Sequence, residues 1–193
     1  KEFDNIRKSG KIAIVLKDND ELIAVDKTTG ENEVIIGASN GRMVRFVENE
    51  IRSMGRGTTG VKGIDLDGCI VVGANVVTDN QEVLIVTENG YGKKTCINEY
   101  RLTHRGSKGV KALNMTDKNG SMISLNCVGA DESDKKDVMI ITDNGVVMRM
   151  PMEQISTLKR ATQGVRLIHL KDEQKVATVT VVDKDEEEIV NEE

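Results

Sequence analysis

The chain has 193 residues, of which 38% are hydrophobic and only 2% aromatic, with one Pro, no Trp and a formal net charge of -5. That length fits one domain, or two small ones, built on an aliphatic core. No apolar run approaches the length of a membrane-spanning helix, and the opening Lys1-Glu-Phe shows neither Met nor a signal-peptide pattern, so an excised piece of a cytoplasmic protein without membrane contact is expected.

Taken in chain order, the first apolar run is Ile12 to Leu16, preceded by Gly10-Lys11. Three gapless segments then align: 41–62 (GRMVRFVENEIRSMGRGTTGVK), 90–111 (GYGKKTCINEYRLTHRGSKGVK) and 145–166 (GVVMRMPMEQISTLKRATQGVR). Each begins with the Gly of an Asn-Gly pair, and each ends Gly-Val-Lys or Gly-Val-Arg. Gly10-Lys11 opens a degenerate earlier copy, and a polar insertion at 129–136 lengthens the last step. Within one unit, Val61–Leu66, Cys69–Val77, Glu82–Thr87 and Tyr91–Cys96 read as short Val- and Ile-rich strands separated by Asp-Gly, Asp-Asn and Asn-Gly turns. The Asn-Gly pairs predict two-residue hairpins with positive φ at both turn positions. Four strands recurring about every 50 residues point to propeller-like blades. Fourteen strands are expected, the last two at Val165–Leu170 and Lys175–Val182, with a helical turn over 153–159 as the only helical candidate. Residues 183–193 (DKDEEEIVNEE) carry seven acids and one base, a composition expected of a solvated tail.

Charge follows the repeat. The three aligned segments hold 15 of the 27 Lys and Arg but only 4 of the 32 acids. Bases recur in register at Arg45, Lys94 and Arg149, then at Arg56, Arg105 and Arg160, and finally at Lys62, Lys111 and Arg166. Equivalent positions in stacked blades fall on equivalent edges, so these columns predict a basic stripe suited to the phosphate backbone of duplex nucleic acid. Loop glycines allow close backbone approach and turn amides toward a phosphate. The two tyrosines, Tyr91 and Tyr100, are too few for single-strand stacking. Any single base reads equally well as a guard against edge-to-edge strand pairing; the recurrence is what favours the stripe.

Other chemistry is not supported by the residues. Cys69, Cys96 and Cys127 are odd in number and lack a C-x-x-C pair, which argues against a disulfide framework or a zinc site. Gly90-Tyr-Gly-Lys-Lys-Thr95 lacks the spacing of a phosphate-binding Walker loop, and no nucleophile–base set stands out. No catalytic residue, metal or cofactor is expected. Met43, Met148 and Met150 read as blade contacts, His104 as a surface residue and His169 as a core one.

The quoted motifs closely resemble the last repeats of the DNA gyrase A C-terminal domain, in order and over nearly the whole chain. The resemblance implies an all-β fold, a β-pinwheel of propeller-like four-stranded blades that exchange strands, here an incomplete arc over 1–182 followed by the acidic tail at 183–193. It implies binding, bending and wrapping of duplex DNA, in support of ATP-dependent negative supercoiling by an enzyme that also contains the rest of the gyrase A polypeptide together with gyrase B. Carried over by position, the DNA-facing candidates are Arg45, Arg52, Arg56 and Lys62, then Lys93, Lys94, Arg101, Arg105, Lys108 and Lys111, then Arg149, Lys159, Arg160 and Arg166. The family's Gln-Arg-Arg-Gly-Gly-Lys-Gly box is missing; Thr103–Gly109 matches it only at Arg105, Gly106, Lys108 and Gly109. The alternatives are the equivalent domain of topoisomerase IV, which also lacks the box, and a protein-interaction propeller.

Overall fold

A computed structural model describes residues 8–171 and 173–184; the acidic run from 185 onward lies outside them. Three hairpins carry the architecture: β1 (Glu33–Ala38) with β2 (Arg42–Val47), β4 (Gln81–Thr87) with β5 (Tyr91–Cys96), and β8 (Lys136–Thr142) with β9 (Val147–Pro151). Each turns at its Asn-Gly pair, but only the glycine is left-handed, with φ of 73° at Gly41, 77° at Gly90 and 83° at Gly145. The Gly amides donate back three residues to Ala38, Thr87 and Thr142, each at 3.0 Å. These are three-residue loops, a tight turn followed by a left-handed Gly, instead of the expected two-residue turns.

Strands from later in the chain complete each sheet. The first runs β3 (Val71–Val77), β1, β2, β6 (Val110–Lys111), and the second β10 (Val165–Arg166), β5, β4, β7 (Met122–Gly129). The third holds β11 (Val176–Asp183), β8 and β9. All strand pairing in the sheets is antiparallel. Each hairpin therefore takes a long strand on one side and, in two cases, a two-residue strand on the other. Segments 72–75, 123–126 and 177–179 of the long strands line one shared groove, which leaves the short strands on the opposite, outer edge.

Strand alternation packs the sheets against each other. Along β4, Val83 and Ile85 join a cluster with Ile35, Met43, Tyr100 and Leu125, while Leu84 and Val86 join one with Val138, Ile140, Met152 and Ile155. Successive side chains point to opposite faces, so the middle sheet is covered on both sides. Each fully buried aliphatic side chain contributes about 1.5–3 kcal/mol. A third cluster of Ala38, Val44, Phe46 and Ile64 lies on the far face of the first sheet.

Eleven strands form among the described residues, against fourteen expected. Val61–Leu66 forms none, and Val165–Leu170 shrinks to two residues. The reason is the exchange: Val110–Lys111 and Val165–Arg166 pair with the hairpin of the preceding unit, and no such hairpin precedes Val61 among the described residues. For the same reason residues 8–31 lack strands, and Ile12, Leu22 and Val25 stay 73%, 60% and 78% exposed. The helical candidate over 153–159 is a single 3-10 turn, Met152–Gln154. Similar turns, Glu48–Glu50 and Ile97–Glu99, follow the other hairpins. The three cysteines are free. Met43 is fully buried, Met148 and Met150 pack against the second cluster, and His169 is exposed where a core position was expected.

Candidate nucleic-acid interface

The recurring bases fall into two structural kinds. The first column, Arg45, Lys94 and Arg149, lies on the second strand of each hairpin. Arg45 Nε donates to Glu33 Oε2 at 2.6 Å, Lys94 Nζ sits 3.0 Å from Glu82 Oε2, and Arg149 Nε donates to Asp137 Oδ2 at 2.6 Å. Each acid lies twelve residues before its base and diagonally across the hairpin, where side chains share a face. Arg45 also donates to the carbonyls of Ile97 and Tyr100, both at 2.9 Å. Lys94 reaches Ser133 Oγ at 3.1 Å and its side chain is 7% exposed. Arg45 and Lys94 brace their hairpins from within, whereas Arg149 makes the same diagonal pair at an exposed position.

Lys93 is also removed from the surface. It is fully buried, and its Nζ donates to Lys159 O at 2.9 Å, Arg160 O at 2.6 Å and Thr162 Oγ1 at 3.2 Å. Burial, helped by the Arg160 guanidinium and opposed by Glu99, lowers its pKa to about 8. Three acceptors hold the ammonium at neutral pH, so Lys93 anchors the 159–162 loop from below. Lys93 and Lys94 are buried with internal partners, and Arg45 is likewise bonded to internal partners. The sequence columns missed this because the partner acids, Glu33, Glu82 and Asp137, fall outside the aligned segments. Their own recurrence at the twelve-residue offset was the available signal.

The second and third columns come together on the outer edge. Arg105 Nη1 donates to Lys62 O at 3.2 Å, and Arg160 Nη1 donates to Lys111 O at 2.8 Å. Arg56 Nη1 makes the equivalent bond to Ile12 O at 3.0 Å. Arg105 and Arg160 are thereby seated beside the last base of the preceding unit, so cations of these neighbouring units become neighbours in space. Glu50 supports this loop further: its carbonyl accepts from Arg105 Nε and its carboxylate from the Arg105 amide, both at 3.2 Å, and His104 Nδ1 lies 3.3 Å from it. Gly109 and Gly164 make the approach possible. Both are left-handed, and a Cβ would meet Met43 O at 2.1 Å or Gly92 O at 2.8 Å.

The remaining expected bases are exposed. Arg52, Arg101, Lys111 and Lys159 lie on the surface. Lys62 and Lys108 are exposed but pair with Asp65 at 2.7 Å and Asp67 at 3.0 Å. Lys62 holds the Asp65 carboxyl below its ordinary pKa, and Asp67 raises that of Lys108. Arg166 donates to Tyr91 Oη at 2.8 Å and lies 5.4 Å over its ring, with Lys118 on the ring at 5.6 Å. Those contacts, led by the Arg166 hydrogen bond, lower the Tyr91 pKa. Arg42, not among the expected residues, is exposed, donates to Gly109 O at 3.1 Å and pairs in register with Lys111. It has no basic counterpart in the other units, which carry Tyr91 and Val146 there, so a search for recurring bases passes over it. Among the described residues no cluster of three His, Cys, Asp or Glu has metal-binding geometry, and no helix is long and apolar enough to cross a membrane.

Strand exchange between repeated sheets, with cations gathered on the outer loops, defines a β-propeller of the β-pinwheel kind. The family model described as DNA gyrase C-terminal domain, beta-propeller, matches residues 1–29, 32–77, 81–128 and 136–183, and the chain belongs to that family. It is similar to the DNA gyrase A subunit of Staphylococcus aureus (strain NCTC 8325), with 47% identity over 193 residues that cover 98% of this chain and 21% of the relative. It is also similar to the corresponding gyrase A polypeptide of Ureaplasma parvum serovar 3, with 45% identity over 181 residues, 93% of this chain and 21% of the relative. The chain thus spans about a fifth of these relatives. Among solved structures, a DNA gyrase A C-terminal domain superposes with a TM-score of 0.76 at 25% identity, covering 89% of this chain and 58% of the other. The C-terminal domain of a DNA topoisomerase IV gives a TM-score of 0.83 at 24% identity, covering 94% and 56%; that likeness concerns the fold alone.

Proposed function

We propose that this chain is a duplex-DNA-binding portion of a DNA gyrase A polypeptide, and that it contacts the phosphate backbone through the outer loops. The observation that supports this best is the inter-unit seating of Arg105 against Lys62 and of Arg160 against Lys111. It makes separate basic loops into one run of cations with fixed spacing. The contacting set is Arg52, Arg56, Lys62, Arg101, Arg105, Lys108, Lys111, Lys159, Arg160 and Arg166, joined by Arg42. Arg45, Lys93, Lys94 and Arg149 serve the blades themselves. Neutralising phosphates releases counterions, so binding is expected to weaken steeply with salt and to depend little on sequence.

In this reading the chain works within a larger assembly. The rest of the gyrase A polypeptide and gyrase B supply strand passage and ATP hydrolysis, and the outer loops bend the duplex to support negative supercoiling in the cytoplasm. No residue of this chain acts as a catalyst and no cofactor is required. The equivalent domain of topoisomerase IV is not favoured, because the relatives at 45–47% identity are gyrase A polypeptides.

The test is fluorescence anisotropy of a labelled duplex across a salt series. Arg101→Glu and Lys111→Glu are each expected to weaken binding to every duplex tried and to reduce the slope of log affinity against log salt by about 1. Binding that ignores salt, or that both reversals leave unchanged, overturns the proposal.

A further inference from the structure

We infer that Lys93 is a positioning residue for duplex binding: its buried ammonium holds the Lys159–Thr162 loop without a counter-anion, and a phosphate arriving at that loop supplies one, so binding draws a proton onto the side chain. The inference deepens the DNA-binding reading and rests on it.

Position 93 sets the second unit apart. The aligned residues of the other units are Val44 and Met148, and these lie opposite Ile36 and Ile140 as Lys93 lies opposite Ile85. An apolar side chain is therefore enough to pack this place in a blade. The lysine brings a charge into it at full burial, and a buried charge is costly unless compensated. Neutral groups alone compensate it here: the carbonyls of Lys159 and Arg160 at 2.9 and 2.6 Å, and Thr162 Oγ1 at 3.2 Å. The adjacent Lys94 shows the alternative, with its Nζ 3.0 Å from Glu82 Oε2. Among the acids of the described residues only Glu99 favours the Lys93 charge, and it does so through space.

The corresponding loop of the preceding unit lacks such an anchor. Ser107 aligns with Thr162, and both amides donate three residues back, to His104 O and Lys159 O. Yet the Ser107 hydroxyl is buried without a partner among the described residues, whereas Thr162 Oγ1 donates to Lys159 O at 2.8 Å and accepts from Lys93. Lys93 thus fixes the backbone from which the Lys159 and Arg160 side chains extend. With a pKa of about 8, lowered by burial and then by Arg160, it is poised to gain or lose its proton near neutral pH. A phosphate bound by Lys159 and Arg160 offsets the Arg160 charge and adds an opposite one, and both effects favour the protonated amine. Binding then takes up a proton, and affinity falls as pH rises through this range.

The other groups on this face do not titrate in step. Arg45, from the sheet packed there, stays charged and is bonded to Glu33 and to the Ile97 and Tyr100 carbonyls. Burial raises the pKa values of the Tyr100 phenol and the Cys127 thiol, which keeps both neutral. Lys111 is exposed and meets the loop through its carbonyl. Tyr91, at the start of the same strand, has a pKa that Arg166 lowers; comparison with a Lys93 variant cancels its contribution.

Calorimetric titration of the full 193-residue chain with a short duplex at pH ~8.5, in two buffers of unlike protonation heat, counts the protons bound per duplex. The parent is expected to take up as much as about one proton per loop engaged. Lys93→Met installs the residue that the last unit carries at this place and is expected to lose most of that uptake. From pH ~7 to ~9.5 the affinity of the parent is expected to fall about three- to tenfold more than that of Lys93→Met. A merely structural brace would instead weaken the variant by the same factor at every pH. Lys159→Gln, at an exposed position, leaves Lys93 in place but removes one phosphate seat, and its uptake is expected to drop below that of the parent. Circular dichroism checks that both variants retain their strands; should Lys93→Met not fold, uptake unchanged in Lys159→Gln overturns the inference. Binding by the parent without proton uptake, or uptake that a folded Lys93→Met leaves unchanged, overturns it while the DNA reading stands. A chain that binds no duplex at any pH overturns both.

Discussion

The hairpin bases and the loop bases make an instructive pair. Both recur once per unit, and in the sequence the two kinds look alike. Arg45, Lys94 and Arg149 lie on strands, where the pleat sets each against an acid on the neighbouring strand. Arg105 and Arg160 lie in loops, and each guanidinium donates to a carbonyl of the preceding unit. A cation paired and buried within the hairpin, as Arg45 and Lys94 are, contributes to stability. A cation bonded to a neutral carbonyl keeps its charge on display. Recurrence marks a position as built; the element carrying it decides for what.

The sharpest way to break this comparison is to truncate a hairpin base. Lys94→Ala leaves Glu82 largely buried without its partner, and removing one member of such a pair is expected to cost about 3–5 kcal/mol in urea unfolding. Salt dependence of DNA binding, measured below the transition, is expected to stay as in the unaltered chain. If Lys94→Ala is as stable as the parent, the brace assigned to this column is wrong.

Lys93 sharpens the comparison through pH. Its folded pKa of about 8 lies below the ~10.4 of an unfolded lysine, so between those values the unfolded chain holds more protons. Stability contributed at this site therefore rises as pH increases through that window. The stability difference between the parent and Lys93→Met should rise by up to about 3 kcal/mol from pH ~7.5 to ~10.5. Measuring the difference isolates Lys93 from Tyr100 and Cys127, whose burial raises their pKa values and which act in the opposite direction. A flat difference would show that Lys93 is not held in a desolvated site.

Gly109→Ala tests the seat that brings loop and hairpin together. A Cβ there would press on the Met43 carbonyl at a φ of 67°, and the left-handed conformation alone costs a non-Gly residue about 1 kcal/mol or more. The variant should be destabilised and bind DNA less tightly, because the loop cations lose their placement. The smallest effect is expected for Arg101→Glu and Lys111→Glu, whose side chains are exposed. Thermal unfolding should move by no more than about 0.5 kcal/mol, even as DNA affinity falls.

Much of the fold was legible in the sequence. The Asn-Gly turns, the Val- and Ile-rich strands and the period of about 50 residues led to repeated antiparallel blades, because hairpins are local and their signals sit within a few residues. The boundaries that failed were those of exchanged strands. Val61–Leu66 has the sequence of a strand but among the described residues pairs with no strand, the Gly63 and Asp65 backbone bonding only to the Gly106–Ser107 loop, and a strand exists only when another extended segment completes its hydrogen bonds. His169 followed the same pattern: an apolar surrounding in sequence, Leu167-Ile168 and Leu170, did not bury its side chain.

For the site, the sequence by itself determined which cations recur and that the Gly-Val-base segments recur with them. Only the tertiary structure decided which cations face outward. That choice depends on pairings across 43 and 49 residues, such as Arg105 with Lys62 and Arg160 with Lys111, and on desolvation of Lys93 beneath a loop 66 residues away. Local sequence sets turn geometry and strand period, because those depend on adjacent backbone dihedrals. Exposure of a charge depends on what the rest of the chain lays over it, and that is settled only when the blades pack.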